Sequence, residues 1–122
     1  MIKTEGITHL HLAVADMQRS LAFYGNVFGM DELFREGPDL IFLRTRGSND
    51  TLTLNEDPSL RGHAGDSGGI QHFGFRIADK NDLDQAVEEV ERWGGRLIRR
   101  GEHEPGHPFA YVADPDGYVI EL

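Results

Sequence analysis

The sequence predicts an α+β fold in which two tandem βαβββ modules form a curved mixed sheet cup. Three observations carry this prediction: a gapless internal repeat, a two-residue apolar alternation in each copy, and a helical stripe after each copy. The segment Ile7-Thr8-His9-Leu10-His11-Leu12-Ala13-Val14-Ala15-Asp16 lies over Ile70-Gln71-His72-Phe73-Gly74-Phe75-Arg76-Ile77-Ala78-Asp79, with apolar positions and one histidine coinciding. Leu10, Leu12 and Val14 share one face of an extended chain, and Phe73, Phe75 and Ile77 share the matching face of the second copy. That period of two is the pattern of a half-buried strand.

Each strand ends in an aspartate, Asp16 or Asp79, a residue that caps a helix or opens a turn into one. The first helix carries Met17, Leu21, Tyr24 and Phe28 at helical spacing, and Gly29 supplies a left-handed stop. In the second, Leu83, Ala86, Val87, Val90 and Trp93 form the apolar stripe before Gly94-Gly95, with Trp93 expected in the core. Three short strands follow each helix, over 31–36, 40–46 and 50–56 and then over 96–100, 108–113 and 118–122. The glycine-rich stretch 57–69 reads as a linker. One domain over 1–122 therefore holds a first module at about 5–57 and a second at about 69–122. Burying the helical sides of both modules leaves a concave sheet surface, a natural pocket.

Composition narrows the function. With 39% hydrophobic and 27% charged residues the chain is globular in character. Cysteine is absent, so disulfides, thiolate metal sites and a cysteine nucleophile are excluded, and any metal must be held by nitrogen and oxygen. A formal charge of −9 opposes binding to nucleic acid and to acidic membranes, which leaves a small molecule as the expected partner. No apolar run is long enough to span a bilayer and the start of the chain lacks a signal-like apolar region, so a cytoplasmic location is expected.

Strand parity places the chemistry. His9 and His11 face away from Leu10, Leu12 and Val14, and therefore into the cup; His72, Gly74 and Arg76 do so in the second copy. On the last strand Tyr118, Ile120 and Leu122 form the apolar face, which turns Glu121 toward the histidines. Two histidines at equivalent places in duplicated strands, with an inward carboxylate, are hard to explain by packing, because burying them unpaired costs several kcal/mol. His9, His72 and Glu121 are the expected ligands of one divalent ion, a set that leaves positions open for water, dioxygen or a bidentate substrate. His11 is expected to touch substrate, and the turn Asp114-Pro115-Asp116-Gly117 to join the last two strands without chemistry. Arg44, Arg46, Arg99 and Arg100 read as solvated charges.

These motifs, together with Arg19-Ser20-Leu21-Ala22-Phe23-Tyr24, Phe28-Gly29-Met30, His72-Phe73-Gly74-Phe75 and Asp114-Pro115-Asp116-Gly117-Tyr118-Val119-Ile120-Glu121-Leu122, resemble the vicinal oxygen chelate superfamily over nearly the whole chain. That superfamily includes glyoxalase I, extradiol dioxygenases, and fosfomycin and bleomycin resistance proteins. The resemblance puts His9, His72 and Glu121 on three metal-ligand places. A fourth, a first-module glutamate of glyoxalase I, falls at Thr53 or Asn55, and Glu56 has the wrong parity unless a bulge intervenes. The resemblance also makes Tyr111 the expected catalytic residue beside the substrate, and Phe109 and His107 line the same mouth. His103 and His107 are candidate acid or base groups. The serine- and glycine-rich loop of the fosfomycin group is replaced by Glu102-His103-Glu104-Pro105-Gly106-His107-Pro108. The resemblance thus implies an enzyme using Fe2+ or Mn2+, with Zn2+ or Ni2+ as alternatives, of extradiol dioxygenase type. A glyoxalase-like lyase or isomerase or a thiol transferase is the alternative, and a non-catalytic drug-binding protein is the rival of another class. It also implies a homodimer whose sites are shared, His9 coming from one chain and His72 and Glu121 from the other.

Overall fold

The computed structural model describes Lys3, residues 7–60 and residues 72–122, so most of the expected linker, with Ile70 and Gln71, lies outside the described residues. The first half contains strand β1 (Leu10–Val14), helix α1 (Met17–Phe28), and strands β2 (Met30–Glu36), β3 (Leu40–Thr45) and β4 (Leu52–Glu56). The second contains β5 (Phe73–Gly74), helix α2 (Leu83–Arg92), β6 (Arg96–Glu102), β7 (Pro108–Ala113) and β8 (Val119–Glu121). Both halves are βαβββ units. Each forms a four-stranded mixed sheet of the same topology, β1-β4-β3-β2 and β5-β8-β7-β6, with its first strand on an edge and parallel to its last.

Local chemistry sets the element ends. Asp16 is extended and its carboxylate accepts the Arg19 N–H, which caps α1, while Glu56 Oε2, from the neighbouring strand β4, accepts the Met17 N–H at 2.6 Å. Gly29 closes the helix at φ 63°, a left-handed conformation that glycine adopts without a Cβ penalty. Asp79 caps a 3-10 turn over Lys80–Asp82 instead of α2 itself. Gly95 follows α2 where an added Cβ would stand 2.6 Å from the Ala113 carbonyl oxygen and from Val90, so only glycine lets the helix end lie this close to β7.

Two expectations need correction. The second repeat strand pairs only over Phe73–Gly74, because after the Phe75 N–H donates to the Glu121 carbonyl at 2.9 Å the chain leaves the sheet for the Asp79 turn. Trp93 is 38% exposed and not in the core, since it caps the C-terminus of α2 where the chain turns through Gly94.

The core lies between the helices and the inner faces of both sheets. Leu12, Val14, Ile41, Leu43, Leu52 and Leu54 meet Phe23 and Tyr24 of α1, and Val87, Val90, Val112 and Ile120 complete it from the second half. Phe23 and Tyr24 are fully buried, and each such side chain contributes about 1.5–3 kcal/mol by burial. Polar groups also join the halves. The Tyr24 hydroxyl donates to Asp114 Oδ2 at 2.8 Å, and Asp114 Oδ1 accepts the backbone N–H groups of Asp116, Gly117 and Tyr118 at 2.9 Å each. Asp116 in turn accepts from the Ala15 N–H, the Arg19 guanidinium and the Ser20 hydroxyl, and the Tyr118 hydroxyl donates to the Ala13 carbonyl oxygen at 2.7 Å.

Burial lifts the Asp114 carboxyl above the usual aspartate range, opposed by its hydrogen bonds from Tyr24, Tyr118 and Gly117. A carboxyl whose folded value is raised stabilises the fold fully below its unfolded value and loses that contribution as pH rises through the folded one. Asp114→Asn keeps an acceptor for the three N–H groups and does not ionise, so urea stability should vary less with pH above about pH 4 than in the native protein. Tyr24→Phe, which leaves Oδ2 buried without its donor, should lower stability by about 1–3 kcal/mol in urea unfolding at neutral pH.

Candidate functional site

The registers of the two sheets define equivalent rows of side chains. On the first sheet His11 faces Thr53, Thr53 faces Phe42 and Phe42 faces Phe34. On the second, Gly74 faces Glu121, Glu121 faces Tyr111 and Tyr111 faces Arg99. Facing residues lie on one side of a sheet, and here it is the side away from the core. Thr53 is thus the counterpart of Glu121, Phe42 of Tyr111, and Phe34 of Arg99. The first row sets a histidine and a threonine beside two phenylalanines. The second carries a carboxylate, a phenol and a guanidinium.

Around Glu121 the second sheet gathers a compact cluster. His72 stands one residue ahead of β5 and brings Nε2 to 3.0 Å from Glu121 Oε2, while His103, from the turn after β6, brings Nε2 to 2.6 Å from Oε1. Tyr111 lies edge-on to the His72 ring at 5.0 Å between centroids. Phe109 stacks on His103 at 4.4 Å and meets Tyr111 at 5.2 Å. The hydrogen bond from His103, then the charges of His103 and His72 and a hydrogen bond from Tyr111, hold the Glu121 carboxyl below its usual range against partial desolvation. A carboxylate that stays ionised and two imidazole nitrogens aimed at its oxygens suit a divalent ion in donor chemistry.

The expected residues distribute over both halves. His72, Glu121, Tyr111 and Phe109 come together. His9 stands one residue ahead of β1 in the other sheet, exposed, with its Nδ1 2.9 Å from the Thr8 hydroxyl. It lines a groove of about 470 Å3 between the ends of β1 and β5; Phe73, Gly74, Phe75 and Arg76 line it too, but not His72 or Glu121. His72, His103 and Glu121 meet through hydrogen bonds, but among the described residues no group of three His, Asp or Glu side chains has the arrangement of a metal site. His11 is exposed over Thr53, whose hydroxyl is buried and has no partner among the described residues. His107 is exposed, and its backbone closes the β6–β7 turn with His103 and Glu104. Of the two loop histidines, His103 is the one that reaches the carboxylate.

Two positions were hidden from sequence parity. Register shifts between Glu32 and Phe34 and between Leu97 and Arg99 mark β-bulges at matching places in β2 and β6. Leu97 faces the buried Val112, yet Arg99, two residues on, faces Tyr111 on the cup side. Its guanidinium carbon lies 5.1 Å from the Tyr111 ring centroid and 5.4 Å from that of Phe109. Alternation alone would have put it beside Leu97. The β4 registers carry no such shift, so Glu56 stays on the core side, committed to the α1 terminus. Glu56→Ala should therefore cost about 0.5–2 kcal/mol in urea unfolding, as the loss of a helix cap does, and leave metal affinity in calorimetry unchanged.

The model of the Glyoxalase/Bleomycin resistance protein/Dioxygenase superfamily matches residues 6–122. The chain is 33% identical to the lactoylglutathione lyase of Neisseria meningitidis serogroup A over 123 residues, covering 95% of this chain and 88% of that protein. It is 30% identical to the catechol-2,3-dioxygenase of Bacillus subtilis over 117 residues, covering 95% of this chain but 40% of that longer protein. A glyoxalase-related enzyme from Fulvimarina pelagi superposes with a TM-score of 0.76 at 25% identity, over 97% of this chain and 86% of its own. The two βαβββ modules and the match across residues 6–122 place the chain in the glyoxalase, bleomycin resistance protein and dioxygenase superfamily, that of the vicinal oxygen chelate proteins.

Proposed function

We propose that this chain is a divalent-metal-dependent enzyme acting on a small substrate that presents two adjacent oxygens, of extradiol dioxygenase type. The observation that carries the reading is the second-sheet cluster. Glu121 is flanked by His72 and Tyr111, and the counterpart of that carboxylate in the first sheet is Thr53, which cannot supply a fourth charged ligand. His72 and Glu121 would hold the ion, with His9 as the third ligand. A bound ion, Fe2+ or Mn2+ by preference, supplies a Lewis acid and a template for the two oxygens. His103 keeps Glu121 Oε1 engaged and so fixes which oxygen remains to ligate. Tyr111 presents its phenol beside that carboxylate, where it can donate to a substrate oxygen that gains charge. Phe109 and His103, stacked together, form one wall against water, and His11 and His107 are proposed to touch substrate.

Because His9 belongs to the sheet that lacks the other two ligands, the proposed working unit is a homodimer with shared sites. The first module of one chain meets the second module of its partner. Among the described residues β1 and β5 each leave one edge unpaired, which supports this arrangement, since an open edge invites pairing with another chain. A second reading, a lactoylglutathione lyase-like isomerase, is favoured by relatives of that name that match over nearly their whole length.

His72→Ala should lose metal binding in calorimetry; undiminished affinity would remove His72 from the ligand set. Mixing His9→Ala chains with Glu121→Ala chains should rebuild one site of three native ligands in each heterodimer and restore activity that neither variant has alone. Absence of recovery after confirmed subunit exchange would return the ligands to a single chain. Oxygen uptake with catechols, set against isomerisation of a methylglyoxal hemithioacetal, separates the two reactions, and the three-ligand set predicts the first and little of the second.

A further inference from the structure

Arg99 has no role in the function proposed so far, and its surroundings are unusual for a surface arginine. It stands on the row that contains the proposed metal carboxylate, two strands from Glu121 with Tyr111 between them. Neighbouring strands lie about 4.8 Å apart, so the Arg99 and Glu121 backbones are roughly 10 Å apart on one face. The guanidinium is held over the rings of Tyr111 and Phe109, at 5.1 Å and 5.4 Å from their centroids, a cation–π arrangement that fixes its position. Ring contact leaves the N–H edge free.

Among the described arginines Arg19 pairs with Asp116, Arg35 with Glu32, Arg46 with Asp31, Arg92 with Glu89 and Arg100 with Asp84, whereas Arg44, Arg76 and Arg96 have no carboxylate partner among the described residues. Among the described residues Arg99 has no such partner, in a chain with 21 acidic residues. Its repeat counterpart is Phe34, packed on Phe42 at 5.5 Å, so the backbone of this row does not require a cation. The positive charge is particular to the half that carries Glu121. A planar guanidinium with its face covered and its edge open matches a carboxylate through two parallel hydrogen bonds.

We propose that Arg99 receives a carboxylate of the substrate, separate from the two adjacent oxygens offered to the ion, so that this enzyme acts on anionic, carboxylate-bearing chelators. The inference rests on the oxygen-chelating reading of the site. The row sets the spacing: the carboxylate lies across the Tyr111 ring from the chelating oxygens, a distance suited to a ring or short chain bearing an acid arm. Arg99 acts as a specificity-determining residue and takes no part in bond making.

The test uses the full-length protein loaded with Mn2+ under anaerobic conditions, with ligand affinity read by calorimetry. Two probe pairs differ only in an acid group: catechol against 3,4-dihydroxybenzoate, and propionohydroxamate against succinic monohydroxamic acid. In the native protein the carboxylated member of at least one pair should bind about tenfold tighter or more, the size of one charge-assisted bidentate contact. Arg99→Gln should bring that ratio to about one with metal affinity unchanged, and Arg99→Lys should keep part of it. If both members of each pair bind alike, or if the preference survives Arg99→Gln, the assignment of Arg99 is overturned while chelation stands. If none of the four binds the loaded protein, the chelation reading fails and the assignment falls with it.

Discussion

The buried hydrogen bond between Tyr24 and Asp114 is the contact on which the rest of the arrangement depends. It joins the helix of one half to the last turn of the other, in a region where an unpaired hydroxyl or carboxylate would cost about 1–3 kcal/mol. The same turn offers Asp116 to the start of α1, and Tyr118 to the end of β1. Those partners fix where β8 begins, and with it the position of Glu121. The turn thus orients the second sheet's carboxylate against the helix of the first half.

Repetition of the backbone has not meant repetition of the chemistry. Gly74 lets β8 approach closely, since an added Cβ would lie 3.3 Å from the Glu121 carbonyl oxygen; its counterpart His11 carries a side chain at the equivalent place beside Thr53. One row offers a carboxylate, a phenol and a cation, and the other offers Phe42 and Phe34, the latter 56% exposed. In a dimer that set one row against the other, a substrate would meet a polar, ion-binding wall and an aromatic wall. That division suits a small ring with polar groups along one edge.

Much of this was legible in the sequence. The repeat, the alternation of Leu10, Leu12 and Val14, and the Asp16 and Gly29 caps gave the modules and their helices, because each signal is local. Parity also put Glu121 on the side of His72, where it lies. What escaped was non-local. Nothing in Leu97-Ile98-Arg99 announces a bulge, yet the bulge alone carries Arg99 to the cup side. His103 reaches Glu121 through the path of the β6–β7 turn, and loop paths leave no periodic trace. The Asp114–Gly117 turn reads as a simple connector, since the tyrosine that buries it lies 90 positions earlier.

Those separations also bear on how the chain folds. The bonds that tie the last turn to the first strand and helix span 90 to 105 residues, from Tyr24–Asp114 to Tyr118–Ala13. Closing so long a loop costs entropy before any contact rewards it, so topologies of this kind fold more slowly than those built from local contacts. The Tyr24 hydroxyl and the Ala15 N–H must await partners from the far end of the chain, and β8 settles only when they arrive. The strand that bears the carboxylate proposed to hold the ion is thus secured by contacts that exist only once the two ends of the chain have met.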